Sequence, residues 1–368
     1  MRVMMVTSDL RIGGAEVLAA RLARALIARG AEIVVAPVRR GGVLAEQFAA
    51  GGACVAPPLS RWRFDPFAPR RAAGLIRDRR IEAVLVVNTL RNGLPFALGG
   101  AAWSGLDPAT LCWCHSHYRG DTRAARRLER YRRWGWLDAV VCISRNQRRE
   151  LADAGLRRRG VALIRNGVEL ARFSTAMPAA LGVPSGRKLV VQVANVAPAK
   201  DHATLLAAAG ALAARRDDFH LALVGRGTDS PELARAADRA GLAGRVSLLG
   251  QRDDVLGILA AADVFALASR AEAFPLSVLE AMAAGRAVVV TDLPAYDEFF
   301  AHGREGLKTP PGDAQALAGA IGRLLDDASL RGAMGQAGQR RAARYAEARM
   351  ADGFERLLAA LLRRKRRR

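Results

Sequence analysis

A chain of 368 residues is longer than one ordinary core, and at roughly 150 residues per domain it predicts two domains. Hydrophobic residues at 51% with charged ones at 25% exclude a disordered or fibrous protein, because enough apolar surface exists to offset chain entropy. The net charge of +22 is unevenly spread: residues 1–168 carry 29 Arg or Lys against 13 Asp or Glu, residues 169–362 carry 22 of each, and 363–368 add six, so the first half is expected to face an anionic partner.

In chain order, short β-like runs alternate with amphipathic helical stretches. Strands are predicted at 2–7 (RVMMVT), 32–37, 82–87, 109–114, 138–143 and 161–164, with helices such as 14–29 and 122–136 between them. Apolar runs bounded by turns and separated by helices predict a parallel sheet buried on both faces. After a Gly/Pro/Ser-rich stretch from Met177 to Gly186 the pattern restarts, with strands at 188–193, 219–224, 245–249, 263–267 and 287–291. Residues 313–362 read as helical, the last stretch (347–362) leading into a basic tail. The expected fold class is therefore α/β, with two Rossmann-like doubly wound domains at 1–168 and 169–345, followed by a C-terminal helix and basic tail at 346–368. In such sheets ligands sit outside the carboxyl ends of the strands, so an interdomain cleft is expected and function should concentrate in the loops that follow strands.

No apolar run reaches the roughly 18 residues of a spanning helix. Asp9, Arg11 and Glu16 interrupt the opening stretch before the apolar run of a secretory signal forms. Cys54, Cys112, Cys114 and Cys142 lack a disulfide-framework spacing, which fits a reducing cytoplasm.

Four segments carry candidate chemistry. The first post-strand loop, Ser8 to Glu16, places Gly13 and Gly14 at a helix start, where backbone N–H groups can approach a phosphate or sugar oxygen; a plain strand-to-helix turn is the alternative. The second, Ala268 to Met282, reads ASRAEAFPLSVLEAM: Pro275 marks a helix start with free N–H donors, Glu272 precedes it and Glu280 follows within it. Two such carboxylates can accept hydrogen bonds from sugar hydroxyls while the helix N-terminus receives a phosphate, against the alternative of two solvated glutamates. The third, Cys112-Trp113-Cys114-His115-Ser116-His117, holds four potential metal ligands. Strand alternation sends Cys112 and Cys114 to one face and His115 to the other, so one tetrahedral zinc is awkward and no metal site is expected. The fourth is a pair of basic helices, 123–133 (Arg123, Arg126, Arg127, Arg130, Arg132, Arg133) and 145–159, set among Tyr131, Trp134 and Trp136. They read either as solvated surface or as a dock for a lipid headgroup layer.

These segments, taken in order, resemble the family 4 retaining glycosyltransferases of GT-B fold. The E-x7-E pattern at Glu272 and Glu280 matches, and GGAE at Gly13 to Glu16 looks like the family's N-terminal loop. Val140 to Ser144, Ile164 to Val168, Leu223 to Gly227, Leu249 to Val255 and Ala262 to Phe265 follow in the family's order, so that the likeness covers nearly the whole chain and is strongest from 188 to 345. The resemblance implies transfer of a hexosyl or N-acetylhexosaminyl group from a nucleotide-diphosphate sugar, UDP as the default and GDP as the alternative, with retained configuration and with neither metal nor cofactor. It assigns donor binding to Gly14, Asn195, Lys200, Glu272, Ala273, Phe274, Pro275, Leu276, Ser277 and Glu280, and catalysis to His115, Lys200 and Glu272. His115 immediately follows its strand and is the better match to the family's histidine, with His117 in reserve.

Two departures stand out. The family's diphosphate-binding Arg and Lys correspond to Asn195 and Lys200, so one positive charge is missing, and Arg226 or Arg270 is the expected substitute. Ala273 replaces the usual Gly, which a backbone contact tolerates unless φ must be positive. The acceptor is expected in the basic first half, as a saccharide or a lipid-linked saccharide in cell-surface polysaccharide assembly, with the enzyme cytoplasmic and peripheral on an anionic membrane surface. A soluble small-molecule acceptor and a nucleotide-sugar epimerase are the alternatives. Nucleic acid ranks low as a partner, since no nucleic-acid motif appears and the neutral half holds the specific motifs.

Overall fold

A computed structural model of the chain describes residues 1–39, 41–62 and 65–367; Arg368, part of the expected basic tail, lies outside them. The chain divides into two compact units, Met1–Gly167 with Glu347–Arg368, and Val168–Ala346.

The first unit is built on seven parallel strands: β1 (Arg2–Thr7), β2 (Glu32–Pro37), β3 (Cys54–Val55), β4 (Ala83–Val87), β5 (Ala109–Cys114), β6 (Ala139–Cys142) and β7 (Val161–Leu163), in the order 3-2-1-4-5-6-7. Every residue of β4 and β5 is buried, because helices cover both faces and leave no polar side to alternate with. The sequence pattern misses β3, a two-residue edge strand too short to carry a period. Among the helices between the strands, for which the sequence pattern sets bounds only in examples, are Leu44–Ala50, Ala68–Asp78 and Gly93–Trp103.

The last helix, Glu347–Arg366, belongs to this first unit, with Met350, Phe354, Leu358 and Leu361 buried along one stripe. Phe354 meets Trp113 of β5 edge-on at 4.7 Å. The basic tail is therefore not a free appendage: the helix continues through it, and cations in a last turn complement the helix dipole. Lys365 is only 11% exposed and pairs through Nζ with Asp107 (2.5 Å) and Asp138 (3.3 Å), while Arg366 reaches Glu82 at 3.2 Å.

The second unit holds six parallel strands: β8 (Lys188–Val193), β9 (Phe219–Val224), β10 (Val246–Leu248), β11 (Val264–Leu267), β12 (Ala287–Thr291) and β13 (Gly306–Thr309), in the order 10-9-8-11-12-13. The sequence reading lacks β13, whose first residue explains its weak signal: a Cβ on Gly306 would lie 2.1 Å from the Val288 carbonyl, so the strand opens on a glycine rather than on a β-former. In each unit the strand order reverses in mid-sheet, between β1 and β4 and between β8 and β11. The loops at the carboxyl ends of those strands are where such sheets bind ligands.

Candidate active site

In the second unit three loops are tied together at the carboxyl ends of β8, β9 and β11. The loop after β8 ends in a short 3-10 turn, Pro198–Lys200, followed by Asp201 in a left-handed conformation (φ 45°, ψ 55°) at the N-cap of helix His202–Ala213. The Asp201 carboxylate justifies that strained position by accepting from the Thr204 N–H (3.3 Å), the Thr204 hydroxyl (2.7 Å) and Arg270 Nε (2.6 Å). Burial works against ionisation, but the Thr204 and Arg270 bonds prevail and hold Asp201 below its ordinary range. Arg270 also donates its backbone N–H to the Ala199 carbonyl at 2.8 Å.

Lys200 Nζ donates to Glu272 Oε1 at 2.5 Å, and the Ser269 hydroxyl donates to the same oxygen at 2.7 Å. The Glu272 side chain is 8% exposed and that of Lys200 27%, so the ammonium covers the carboxylate. Beneath them Tyr296 is fully buried, and desolvation together with the Glu272 charge pushes its hydroxyl well above the usual phenol range.

Asn195, where the resemblance expects Arg, joins the β8 and β9 loops. Its Oδ1 accepts from the Arg226 N–H at 2.9 Å, and the Val196 N–H donates to the Arg226 carbonyl at 2.9 Å. The approach is close enough that a Cβ on Gly225 would sit 2.3 Å from the Ala194 carbonyl, at a φ of 140°. Of the two arginines that could replace the missing charge, Arg270 is engaged by Asp201, whereas the exposed Arg226 guanidinium has no partner among the described residues.

After β11, Ala273, Phe274 and Pro275 are buried, and Phe274 is seated against Phe299 (4.9 Å between ring centroids) and Tyr345 (5.9 Å). Ala273 is not among the residues of positive φ, so the side chain it has in place of the family glycine is not strained. The helix runs Leu276–Ala283; Pro275 takes the N-cap rather than the first helical position. No side chain caps that end, which leaves the first-turn N–H groups, including those of Leu276 and Ser277, available to an acceptor. Glu280 lies half-buried in the second turn.

Gly14 and His115 stand on the first unit, each following the carboxyl end of a strand. Gly13 is the N-cap of helix Gly14–Ile27, and its extended backbone shows that the loop does not need its freedom in φ. The tightness is instead on the side-chain side, where a Cβ at Gly13 would lie 2.5 Å from Glu16 Oε2. Burial raises the Glu16 carboxyl above its usual range, although the Ser8 hydroxyl donates to it at 3.3 Å.

His115 donates its backbone N–H to Asn88 Oδ1 at 3.0 Å, and its ring lies 4.3 Å from that of Trp113. Burial pushes His115 down to about 3, which keeps the imidazole neutral at physiological pH, and its Nε2 is enclosed without a partner among the described residues. His117 is exposed. Gln147 fixes the loop by donating to the Cys114 (3.0 Å) and Ser116 (2.7 Å) carbonyls while accepting from the Ile143 N–H (2.9 Å). Asn88 and Gln147 carry no sequence signature, because each acts on backbone groups brought near only by the fold, and the Arg270 partner of Asp201 is 69 residues away. Among the described residues no group of His, Cys, Asp or Glu assembles to hold a metal ion.

The family model described as "Glycosyltransferase Family 4" matches residues 12–172, and that described as "Glycosyl transferases group 1" matches 173–341. Over 172 residues the chain is 38% identical to a phosphatidyl-myo-inositol mannosyltransferase of Mycolicibacterium smegmatis, covering 46% of this chain and 44% of that protein. Over 223 residues it is 30% identical to the lipopolysaccharide core biosynthesis glycosyltransferase LpsE of Rhizobium meliloti, covering 60% and 64%. The chain thus spans about half, and less than two thirds, of the length of the curated relatives it matches. The solved structure of Anabaena HepE in complex with UDP and glucose shares the fold with a TM-score of 0.85 at 20% identity, covering 98% of this chain and 100% of that one. Two parallel α/β units in this succession are the GT-B architecture.

Proposed function

Because the chain belongs to the family 4, group 1 glycosyltransferases, we propose that it moves a hexosyl or N-acetylhexosaminyl group from a nucleotide-diphosphate sugar to an acceptor hydroxyl with retained configuration. The observation that carries this reading is the Lys200–Glu272 pair at the strand-order reversal of the second unit, beside an uncapped helix start. An arriving diphosphate offers Lys200 a more highly charged partner than Glu272, and the released carboxylate can then accept hydroxyls of the sugar. As the glycosidic bond breaks, negative charge gathers on the departing diphosphate, and Lys200, Arg226 and the N–H groups of Leu276 and Ser277 meet it. Glu280 takes the ribose hydroxyls. Gly14 offers backbone N–H, and the neutral His115 imidazole can hydrogen-bond the transferred sugar without adding charge. The site has no need of a protein nucleophile, since positioning and electrostatics supply the barrier reduction, nor of a metal or cofactor.

A UDP-sugar is favoured over a GDP-sugar, as HepE is a protein solved with UDP and glucose. A lipid-linked saccharide acceptor on the first unit is favoured by relatives named for phosphatidyl-myo-inositol and for lipopolysaccharide core biosynthesis. It implies a cytoplasmic enzyme that works at an anionic membrane surface; no described helix is long and apolar enough to cross one. A thermal-shift panel of UDP- and GDP-sugars tests the donor, because selective binding raises apparent stability by RT ln(1 + [L]/Kd). NMR of the product tests the chemistry: an inverted anomer, or isomerisation of the donor without any acceptor, would overturn the reading.

A further inference from the structure

The first unit has a concave site at the end of its sheet opposite to the strand ends that Gly14 and His115 follow. A cavity of about 380 Å³ opens at the amino ends of β6 and β7, where Leu137 and Asp138 enter one strand and Arg159 and Gly160 enter the other. Five arginines line it against two carboxylates. Both carboxylates are already engaged: Glu129 by Arg132 (3.1 Å) and the Arg157 backbone N–H (3.3 Å), Asp138 by Lys365 (3.3 Å) and the Thr110 N–H (2.9 Å). That leaves the guanidinium groups of Arg133, Arg159 and Arg364 with no hydrogen bond or acidic partner among the described residues. Gly160, at φ 73°, makes room for this crowding, since a Cβ there would lie 2.8 Å from Arg132 Nη2. Burial holds Arg132 below its ordinary value, and the Arg159 charge adds to the effect against the pull of Glu129.

Aromatic residues flank the lining in sequence. Gly135 lines the cavity between Trp134 and Trp136, which are 56% and 45% exposed. Tyr131 stacks on Trp136 at 6.1 Å, and the Arg130 guanidinium lies 5.4 Å from the Trp134 ring centre. Unpartnered cations in a hollow, with exposed indoles on the residues either side of the lining Gly135, combine the two chemistries of a membrane interface: phosphate attraction and amphipathic rings at the headgroup level.

We infer that this cavity binds the phosphate of an anionic membrane-lipid headgroup, with Arg133, Arg159 and Arg364 as its cations and Trp134 and Trp136 inserted beside it. The inference deepens the membrane part of the proposed function and rests on it. Because the cavity sits at the amino ends of the strands, its occupant leaves the carboxyl-end loops of the same sheet free for an acceptor.

Flotation of the full chain with phosphatidylcholine vesicles, with and without phosphatidylglycerol, tests it. Three proteins are compared: wild type, R159A/R364A, and the charge-matched R70A/R79A, whose arginines are exposed and far from this cavity in sequence. Two cations at about 1 kcal/mol each near an anionic surface give about a thirtyfold lower partition for R159A/R364A, with R70A/R79A close to wild type. Equal losses in both variants would leave membrane attachment standing as diffuse attraction and remove the cavity from it. If wild type does not float with phosphatidylglycerol at low salt, both the inference and the membrane reading fail. A melting-temperature rise with inorganic phosphate in that case, absent in R159A/R364A, would identify a soluble-anion site instead.

Discussion

The two units share one architecture, parallel sheets whose strand order reverses in the middle, but they differ in how charge is carried. Residues 1–167 bring +16 and residues 347–368 bring +5, so the first unit holds +21 and the second +1. In the second unit three cations at or near the strand ends are matched, Lys200 by Glu272, Arg270 by Asp201 and Lys308 by Asp292 and Asp297, while the Arg226 guanidinium stays unpaired among the described residues. In the first, arginines outnumber the acids available to them. A shared fold therefore fixes where loops stand without fixing what they attract. Balanced pairs suit a site that opens for one ligand, and unbalanced charge suits a surface that recruits many.

The strongest way to break this contrast is to remove the matched cation. Lys200→Ala should lower kcat by roughly 10²-fold or more while leaving binding of the free nucleoside less affected, because the charge it meets develops as the bond breaks. Steady-state kinetics beside calorimetry with uridine or guanosine would separate the two. Near-normal turnover would show that another cation, with the exposed Arg226 as the first candidate, carries the diphosphate.

Glu280→Ala should act on binding rather than on the chemical step. Hydroxyls or donors left unpaired cost on the order of 1–3 kcal/mol, so donor affinity measured by calorimetry should fall by that amount. Unchanged affinity would remove Glu280 from the site and leave the second unit with one functional carboxylate in place of two.

His115 sharpens the comparison on the first unit. Its folded value of about 3 lies below the ordinary 6.5, so the unfolded chain takes up the proton first as pH falls. The neutral imidazole's contribution is therefore complete above pH 6.5 and is lost between pH 6.5 and 3, with a slope of at most about 1.4 kcal/mol per pH unit. His115→Gln should show a shallower acid loss in urea unfolding across that window, and wild type and variant melting in parallel would contradict the burial. His115→Ala should also disrupt transfer with the fold intact; loss in His117→Ala alone would reverse the choice between them.

These residues also show what the sequence could carry. Long buried strands such as β4 and β5 were legible, because a sheet covered on both faces must be apolar throughout. So was the placement of Lys200 and Glu272 after strands, with Glu280 in the helix that follows Glu272. The two-residue β3 and the glycine-led β13 were not, since neither sustains a period. The partnering was hidden as well. Nothing in a linear reading tells that Asn195 would bind the Arg226 backbone, that Asp201 would claim Arg270, or that Lys365 would turn away from solvent to reach Asp138. Those pairings depend on loops and termini that meet only after the sheets have formed.

The smallest effect is expected at Asp121, and it probes the unbalanced side directly. The Arg-rich helix Thr122–Arg133 buries only Ala125 and Leu128, so little apolar packing secures it. Arg123 with Arg127 and Arg126 with Arg130 stand four residues apart, where like charges destabilise a helix by about 0.2–0.5 kcal/mol per pair. Against that stands the Asp121 cap, which accepts the Ala124 N–H at 3.0 Å and places a negative charge at the positive end of the dipole. Asp121→Ala should therefore cost about 1 kcal/mol, felt as faster hydrogen exchange in the first turn, around Ala124 and Ala125, and only weakly as global stability. Added salt should slow that exchange, because screening relieves the arginine repulsion. Equal exchange in wild type and variant at low salt would show that the Arg127 bond to the Leu90 carbonyl, 3.0 Å away, holds the helix without its cap.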